Sequence, residues 1–287
     1  MHKIHVFGAT SRLGRVLTKS LSAGSVREDR IYEGYMESDP FKTNDTDRKV
    51  LVILAWSGYP SSNSPNSEHE NKSIINMALR LARKERYDHI VFTSSAGALY
   101  RENSSTMQCE EAETFVDSPY GKQKLAAETL LSMFCREQGI DLSILRITTA
   151  YGFSSQLKSQ GVVTRWIDSV INGKDVELWI NSRSAINFIS YEQAADAIQR
   201  TIWKRFDGIL NIGCSDVVQM RDVLDTIKSE AKRSGLPVRV RKFGDKVRLM
   251  CVDCTKSREI LGKSYKSDLL NEIRKIFREM LMRKSQS

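Results

Sequence analysis

Residues 4–14 read IHVFGATSRLG. A short apolar run from Ile4 to Phe7 stops at a turn bounded by Gly8 and Gly14, and Leu13, Val16, Leu17 and Leu21 then recur at helical spacing. Strand, glycine turn and helix in that order open a nucleotide-binding βαβ unit. Gly8 permits the tight turn, Gly14 permits close helix–strand packing, and the helix N-terminus offers N–H groups to a pyrophosphate. The middle glycine of such turns is replaced by Ser11, which crowds a phosphate, although its hydroxyl can donate to one.

The same alternation continues outward. A second strand is expected at residues 30–36 and a buried one at 50–55, followed by a helix over 71–86. Another buried strand, 89–92, runs into Thr93, Ser94 and Ser95. Ser118 as N-cap and Pro119 at the first helical position start a helix that ends at Gly139, and a strand follows at 142–147. This predicts an α/β fold, a Rossmann-like doubly wound parallel sheet. Only one strand fits between the first helix and Val50, so that half of the sheet is trimmed. Beyond Tyr151 the alternation loosens: helices are expected at 162–172, 191–203 and 220–234, with strands at 176–180 and 209–212. The expected division is a dinucleotide-binding domain, 1–150, and a smaller α/β substrate lobe, 151–287, interwoven with it.

With 287 residues and 40% apolar content the chain can bury a large core, which excludes a disordered protein. Its longest apolar stretch, 50–56, falls far short of the ~20 residues of a membrane span. Met1-His2-Lys3 leads straight into a strand, with no signal-peptide pattern. Five cysteines without framework spacing point to free thiols in a reducing, cytoplasmic setting. The net charge is +9, and residues 231–287 hold 16 Lys/Arg against 6 Asp/Glu.

Tyr120 and Lys124 form a Tyr-x-x-x-Lys pair near the start of a helix, on one face. An ammonium near a phenol favours the phenolate, so Lys124 is expected to lower the Tyr120 pKa. Such a tyrosine passes a proton to or from a hydroxyl while hydride moves to or from a nicotinamide. The pair follows Thr93-Ser94-Ser95 at the end of a buried strand, where open α/β sheets hold their ligands.

With these pieces in order, nearly the whole chain resembles the extended short-chain dehydrogenase/reductase family of nucleotide-sugar epimerases, dehydratases and reductases. FTSSAGALY (92–100) resembles its serine strand, SPYGKQKLAAE (118–128) its catalytic helix and LRITTAYG (145–152) the stretch that places substrate. Asn211-Ile212-Gly213, Arg241 to Asp245, Asp253 to Lys256 and Leu261-Gly262 are similar to its later segments. The resemblance implies that Tyr120 is the acid/base and that Lys124 holds the nicotinamide ribose. Ser95, with Ser94 beside it, is the implied hydroxyl partner. Gly8, Thr10, Ser11, Arg12, Leu13 and Gly14 would cradle the cofactor, with Thr93 on the same edge and Ala55 and Trp56 along the adenosine side. Thr149, Arg183, Arg241 and Lys242 would face a nucleotide-diphosphate sugar, and the protein would be a homodimer through helices 71–86 and 118–138.

Several positions depart from the family pattern. The family's Arg-Asp-Tyr-Ile segment appears as Ile186-Asn187-Phe188-Ile189, so the arginine that grips the diphosphate is gone; either Arg183 substitutes or the diphosphate is held otherwise. Ala96-Gly97 stands where dehydratases carry an Asp-Glu pair, which leaves carbonyl redox chemistry: a 4-keto-sugar nucleotide reductase, with a 4-epimerase as the alternative. NAD and NADP both remain open. Glu33 or Glu37 would favour a ribose hydroxyl and Arg12 a 2′-phosphate. Cys251-x-x-Cys254 lacks a second ligand pair for zinc and reads as packing. The basic tail leaves a rival of another class, a catalytically silent cofactor sensor or RNA-binding protein. Its charges, however, lie along an amphipathic helix with Leu269, Leu270, Ile273, Ile276, Phe277 and Met280, which favours no nucleic acid.

Overall fold

The computed structural model describes residues 2–21, 26–29, 48–58, 66–102, 107–153 and 161–285. The first half runs β1 (His2–Phe7), α1 (Arg12–Ser20), β2 (Val26–Asp29), β3 (Arg48–Ile53), α2 (Ser67–Glu85), β4 (His89–Ser95), α3 (Ala96–Leu99), α4 (Pro119–Gln138) and β5 (Asp141–Ile147). It continues through β6 (Thr149–Tyr151), α5 (Val162–Ile171), β7 (Val176–Leu178), β8 (Ala185–Ser190), α6 (Tyr191–Lys204) and β9 (Gly208–Ile212). The chain ends with β10 (Val217–Gln219), α7 (Met220–Arg233), β11 (Val240–Lys242), β12 (Leu249–Met250), α8 (Thr255–Leu261) and α9 (Leu269–Lys284).

A parallel sheet in the order β2-β1-β3-β4-β5-β9 forms the centre. β3, β4 and β5 are buried along most of their length, with apolar runs at 50–53, 90–92 and 144–145, because they are covered on both faces. On one face α2 and α4 bury Ile74, Ala78, Leu131 and Phe134 against Leu51, Ile90 and Phe92. On the other, α1 and α6 bury Leu17, Ala194 and Ile198 against Val6, Val52 and Leu145. The helix ends follow the sequence signals. The Ser118 side chain accepts from the Gly121 N–H at 3.1 Å, and Gly139 closes α4 in the left-handed region at φ 67°.

The second strand differs from expectation. It lies at Val26–Asp29, while 30–36, with Glu33 and Glu37, falls outside the described residues. Its sequence, VRED, has no apolar run. It forms a strand by pairing with β1, its one partner among the described residues. The lobe is a small sheet, β10-β8-β12 with β6 on β8, and a two-stranded ribbon of β7 and β11. α5, α7 and α9 pack beside it around Trp166, Ile167, Phe188, Ile227 and Phe277. A cut at residue 150 would strip β9 from the central sheet and α6 from its face.

Candidate active site

The strand order reverses between β1 and β3, and open α/β sheets bind ligands outside the carboxyl ends of strands at such a point. The glycine turn sits there. Gly8 holds φ +98°, and a Cβ on it would lie 2.6 Å from the Ala55 nitrogen; a side chain at Gly14 would run into the Gly8 carbonyl. These cradles keep backbone close to backbone and leave the α1 N-terminus facing the crevice. A dinucleotide pyrophosphate fits this arrangement. Ser11 caps α1: its Oγ accepts from the Gly14 N–H at 3.0 Å, which leaves the hydroxyl proton available to a phosphate. Arg12 is buried and hydrogen-bonds Tyr191, at the start of α6. Thr10 and Leu13 are half-buried on the same turn.

Across the crevice, β4 delivers Thr93, Ser94 and Ser95 and the first turns of α4 deliver Tyr120 and Lys124. The Ser95 and Tyr120 hydroxyls are hydrogen-bonded. Ser94 is buried with its hydroxyl unpartnered among the described residues. Lys124, also buried, donates to the Thr93 carbonyl at 2.8 Å, and its Nζ stands 3.8 Å from the Trp56 ring centroid. Six of the expected residues, Gly8, Ala55, Thr93, Ser95, Tyr120 and Lys124, thus gather at one strand edge.

The electrostatics correct one expectation. Burial pushes the Tyr120 phenol up to about 12, with the Ser95 hydrogen bond opposing, instead of Lys124 pulling it down. The lysine's charge is engaged elsewhere: Nζ is 6.0 Å from the Tyr120 ring centroid and bound to Thr93 and Trp56. Burial lowers Lys124 itself to about 7, with Glu128 opposing. Spacing along the helix placed the two residues on one face, but it could not show where the ammonium ends.

Beneath the site lies a buried polar network. Arg146 on β5 bonds both Glu128 carboxylate oxygens, at 3.2 and 2.8 Å, and donates to the Tyr100 hydroxyl at 2.9 Å. Tyr100 donates to Asn211 at 2.8 Å, and Glu110 accepts the Asn211 N–H at 2.7 Å. The network fixes α4, β5, β9 and the end of α3 to one another.

The substrate-side residues lie in the lobe. Thr149, half-buried, starts β6. Arg241 and Lys242 are exposed on β11, and the Arg241 guanidinium lies 5.0 Å from the Phe243 ring centroid. Phe243 stacks on Trp179 at 4.6 Å and 11°, and both rings are exposed. Arg183 is exposed and engages Asn181. Sequence reasoning missed Arg248. It forms an ion pair with Glu102, joined there by Lys246 at 3.2 Å, and donates to the Gly97 carbonyl at 3.2 Å, two residues past Ser95. It stood in the basic tail, which the sequence shows only as a charge excess. Much of that excess is matched internally: buried Glu230 alone draws Arg233, Arg274 and Arg278 within 2.7, 3.9 and 3.5 Å.

Residues 37–213 match the pattern of the NAD dependent epimerase/dehydratase family. The chain belongs to that family. A curated relative, a putative UDP-glucose 4-epimerase of Methanocaldococcus jannaschii, is 28% identical over 69% of the chain and 65% of its own length, so the chain spans less than two thirds of that relative. UDP-glucose 4-epimerase of Thermotoga maritima, crystallised with UDP-glucose, shares the fold at TM-score 0.79 and 21% identity over 100% of both chains. RMD of Pseudomonas aeruginosa, complexed with NADPH, shares it at TM-score 0.77 and 16% identity over 98% of this chain and 99% of that one. No helix among the described residues is long and apolar enough to cross a membrane, and no cluster of side chains among them suits a metal ion.

Proposed function

We propose that this protein moves hydride between NAD or NADP and a nucleotide-diphosphate sugar, with 4-epimerisation as its reaction. The observation that carries the reading is the Ser95–Tyr120 hydroxyl pair, set beside Lys124 across the crevice from the Gly8–Gly14 turn. The curated relative named as an epimerase favours inversion over one-way reduction.

When bound, the nicotinamide would accept and return the hydride. Tyr120 exchanges the proton of the reacting sugar hydroxyl, and Ser95 holds the same oxygen by hydrogen bond. Lys124 and the Thr93 edge hold the cofactor ribose, and the Leu13 and Gly14 turn carries the pyrophosphate. Because Trp56 lies against Lys124, it belongs on this reading to the nicotinamide end rather than to the adenosine side. In the lobe, the Trp179–Phe243 stack offers an aromatic face to a base, with Arg241 and Lys242 beside it for the phosphates. Arg248, at the seam beside Gly97, supplies a cation where Ile186 has none.

One observation favours the reductase as second reading. With its phenol raised to about 12, Tyr120 carries its proton near neutral pH, the form in which reduction of a carbonyl needs it. Incubation with a panel of UDP-, GDP-, dTDP- and CDP-sugars, their 4-keto forms, and NAD or NADPH, read by chromatography and mass spectrometry, tests both. Epimerisation leaves the mass unchanged and alters retention, whereas reduction adds two hydrogens. No turnover of any member removes the proposal.

A further inference from the structure

Trp56 contributes more to this crevice than bulk. It follows β3, half-buried, with its ring tilted against Phe92 at 5.8 Å and 57°. Its face is turned to the Lys124 ammonium at 3.8 Å, while the lysine donates to Thr93 on the other side. The Phe92 ring centroid stands 4.7 Å from the same ammonium. The indole N–H is buried and finds no hydrogen-bond partner among the described residues. An orphaned N–H is a standing penalty that phenylalanine would avoid. What indole offers over phenylalanine is the stronger cation-binding face, most effective where water is excluded. The site thus keeps the ring whose polar tip goes unused and whose face meets the lysine.

We propose that Trp56 is a positioning residue for Lys124, its indole face clamping the ammonium against the Thr93 carbonyl so that the lysine meets the cofactor ribose from one fixed direction. The inference rests on the assignment of Lys124 as the ribose-holding lysine. The groups around the ammonium leave the indole as its principal unshared partner. On α4, Tyr120 is neutral and bound to Ser95, and the Glu128 carboxylate is taken by Arg146 of β5. On β4, Thr93 presents its carbonyl and Phe92 its ring. On α2, Glu70 is held by the Ser57 hydroxyl and Asn71 by Gln123. Burial holds the lysine near 7, so its charge changes in the neutral range, directly over a fluorescent ring.

The test has two arms. In the first, tryptophan emission is titrated without cofactor from about pH 5.5 to 9, the span in which such a lysine changes charge. The wild type is expected to show a neutral-range midpoint that is missing from Trp56→Phe, which removes the reporter, and from Lys124→Met, which removes the charge. In the second arm NADH and NADPH affinities are measured by calorimetry. Trp56→Leu is expected to weaken binding about 30-fold, the equivalent of one desolvated cation–π contact, and Trp56→Phe to restore most of the loss. In a Lys124→Met background Trp56→Leu is expected to add nothing, because the tryptophan acts through the lysine. A wild-type emission titration that, extended to about pH 11 and so past the ordinary lysine value, shows no midpoint dependent on Lys124 overturns the clamp. So does an equal loss from Trp56→Leu in both backgrounds, which would mark Trp56 as packing alone. A wild type that binds neither dinucleotide sinks the functional reading of the crevice, while the emission titration still decides whether Trp56 holds Lys124.

Discussion

Lys124→Met should make the protein more stable near neutral pH and remove a dependence on pH that the wild type carries. Lys124 is buried and lowered from 10.5 to about 7. Between those two values the unfolded chain holds a proton on this amine and the folded chain does not, so wild-type stability rises with pH across the window. Below the lower value both states hold the proton, and the folded state carries the full penalty of a buried charge. Three and a half units at about 1.36 kcal/mol each set a ceiling of about 5 kcal/mol on that penalty. Integrating the same difference from pH 6 to pH 9 gives a wild-type gain of roughly 2.5 kcal/mol. Methionine fills the space with an unbranched apolar chain and titrates nowhere. Urea unfolding of both proteins at pH 6, 7, 8 and 9, without cofactor, reads the difference directly, because every other group contributes equally to the two curves. The variant should be the more stable at pH 6, and its advantage should shrink toward pH 9. A variant less stable at pH 6, or one whose gap to the wild type stays constant with pH, would refute the reasoning that Lys124 is desolvated in the folded crevice.

Tyr120→Phe should lower turnover by about 100-fold or more while leaving dinucleotide affinity within a factor of about two, since only the proton-transfer group is removed; steady-state rates and calorimetry check this. Glu128→Gln leaves Arg146 buried without its counter-charge and should cost about 3–5 kcal/mol, seen as a large fall in the unfolding midpoint. His89, buried and lowered from 6.5 to about 4, resists protonation in the folded state, so stability is full above 6.5 and falls as the pH drops toward 4, by about 3 kcal/mol in all. His89→Gln should flatten that acid limb in unfolding measurements. α4 exposes Leu130 and Met133, and sedimentation at micromolar concentration should give a dimer; Leu130→Glu with Met133→Glu should give a monomer, and a monomeric wild type would end that proposal.

The sequence by itself determined the elements whose signals are local. Gly8 and Gly14 announced the crevice, because a tight turn and a close helix approach demand residues without side chains. Ser118, Pro119 and Gly139 bounded α4 for equally local reasons of capping and backbone angle. The unbroken apolar runs of β3 and β4 declared a sheet covered on both faces. Thr93, Ser95, Tyr120 and Lys124 were legible as a set because their order along the chain resembles a known family. Tertiary structure alone decided what those groups feel. Burial, and not the neighbouring amine, governs Tyr120, and Lys124 spends its charge on a carbonyl and an indole that lie far from it in sequence. VRED became a strand only because an edge of β1 was free to pair with it, and Arg248 emerged from an anonymous basic tail only when the lobe folded back onto Gly97. The physical reason is range: capping, turn geometry and periodicity act within a few residues, whereas desolvation and ion pairing depend on which distant segments close over a group.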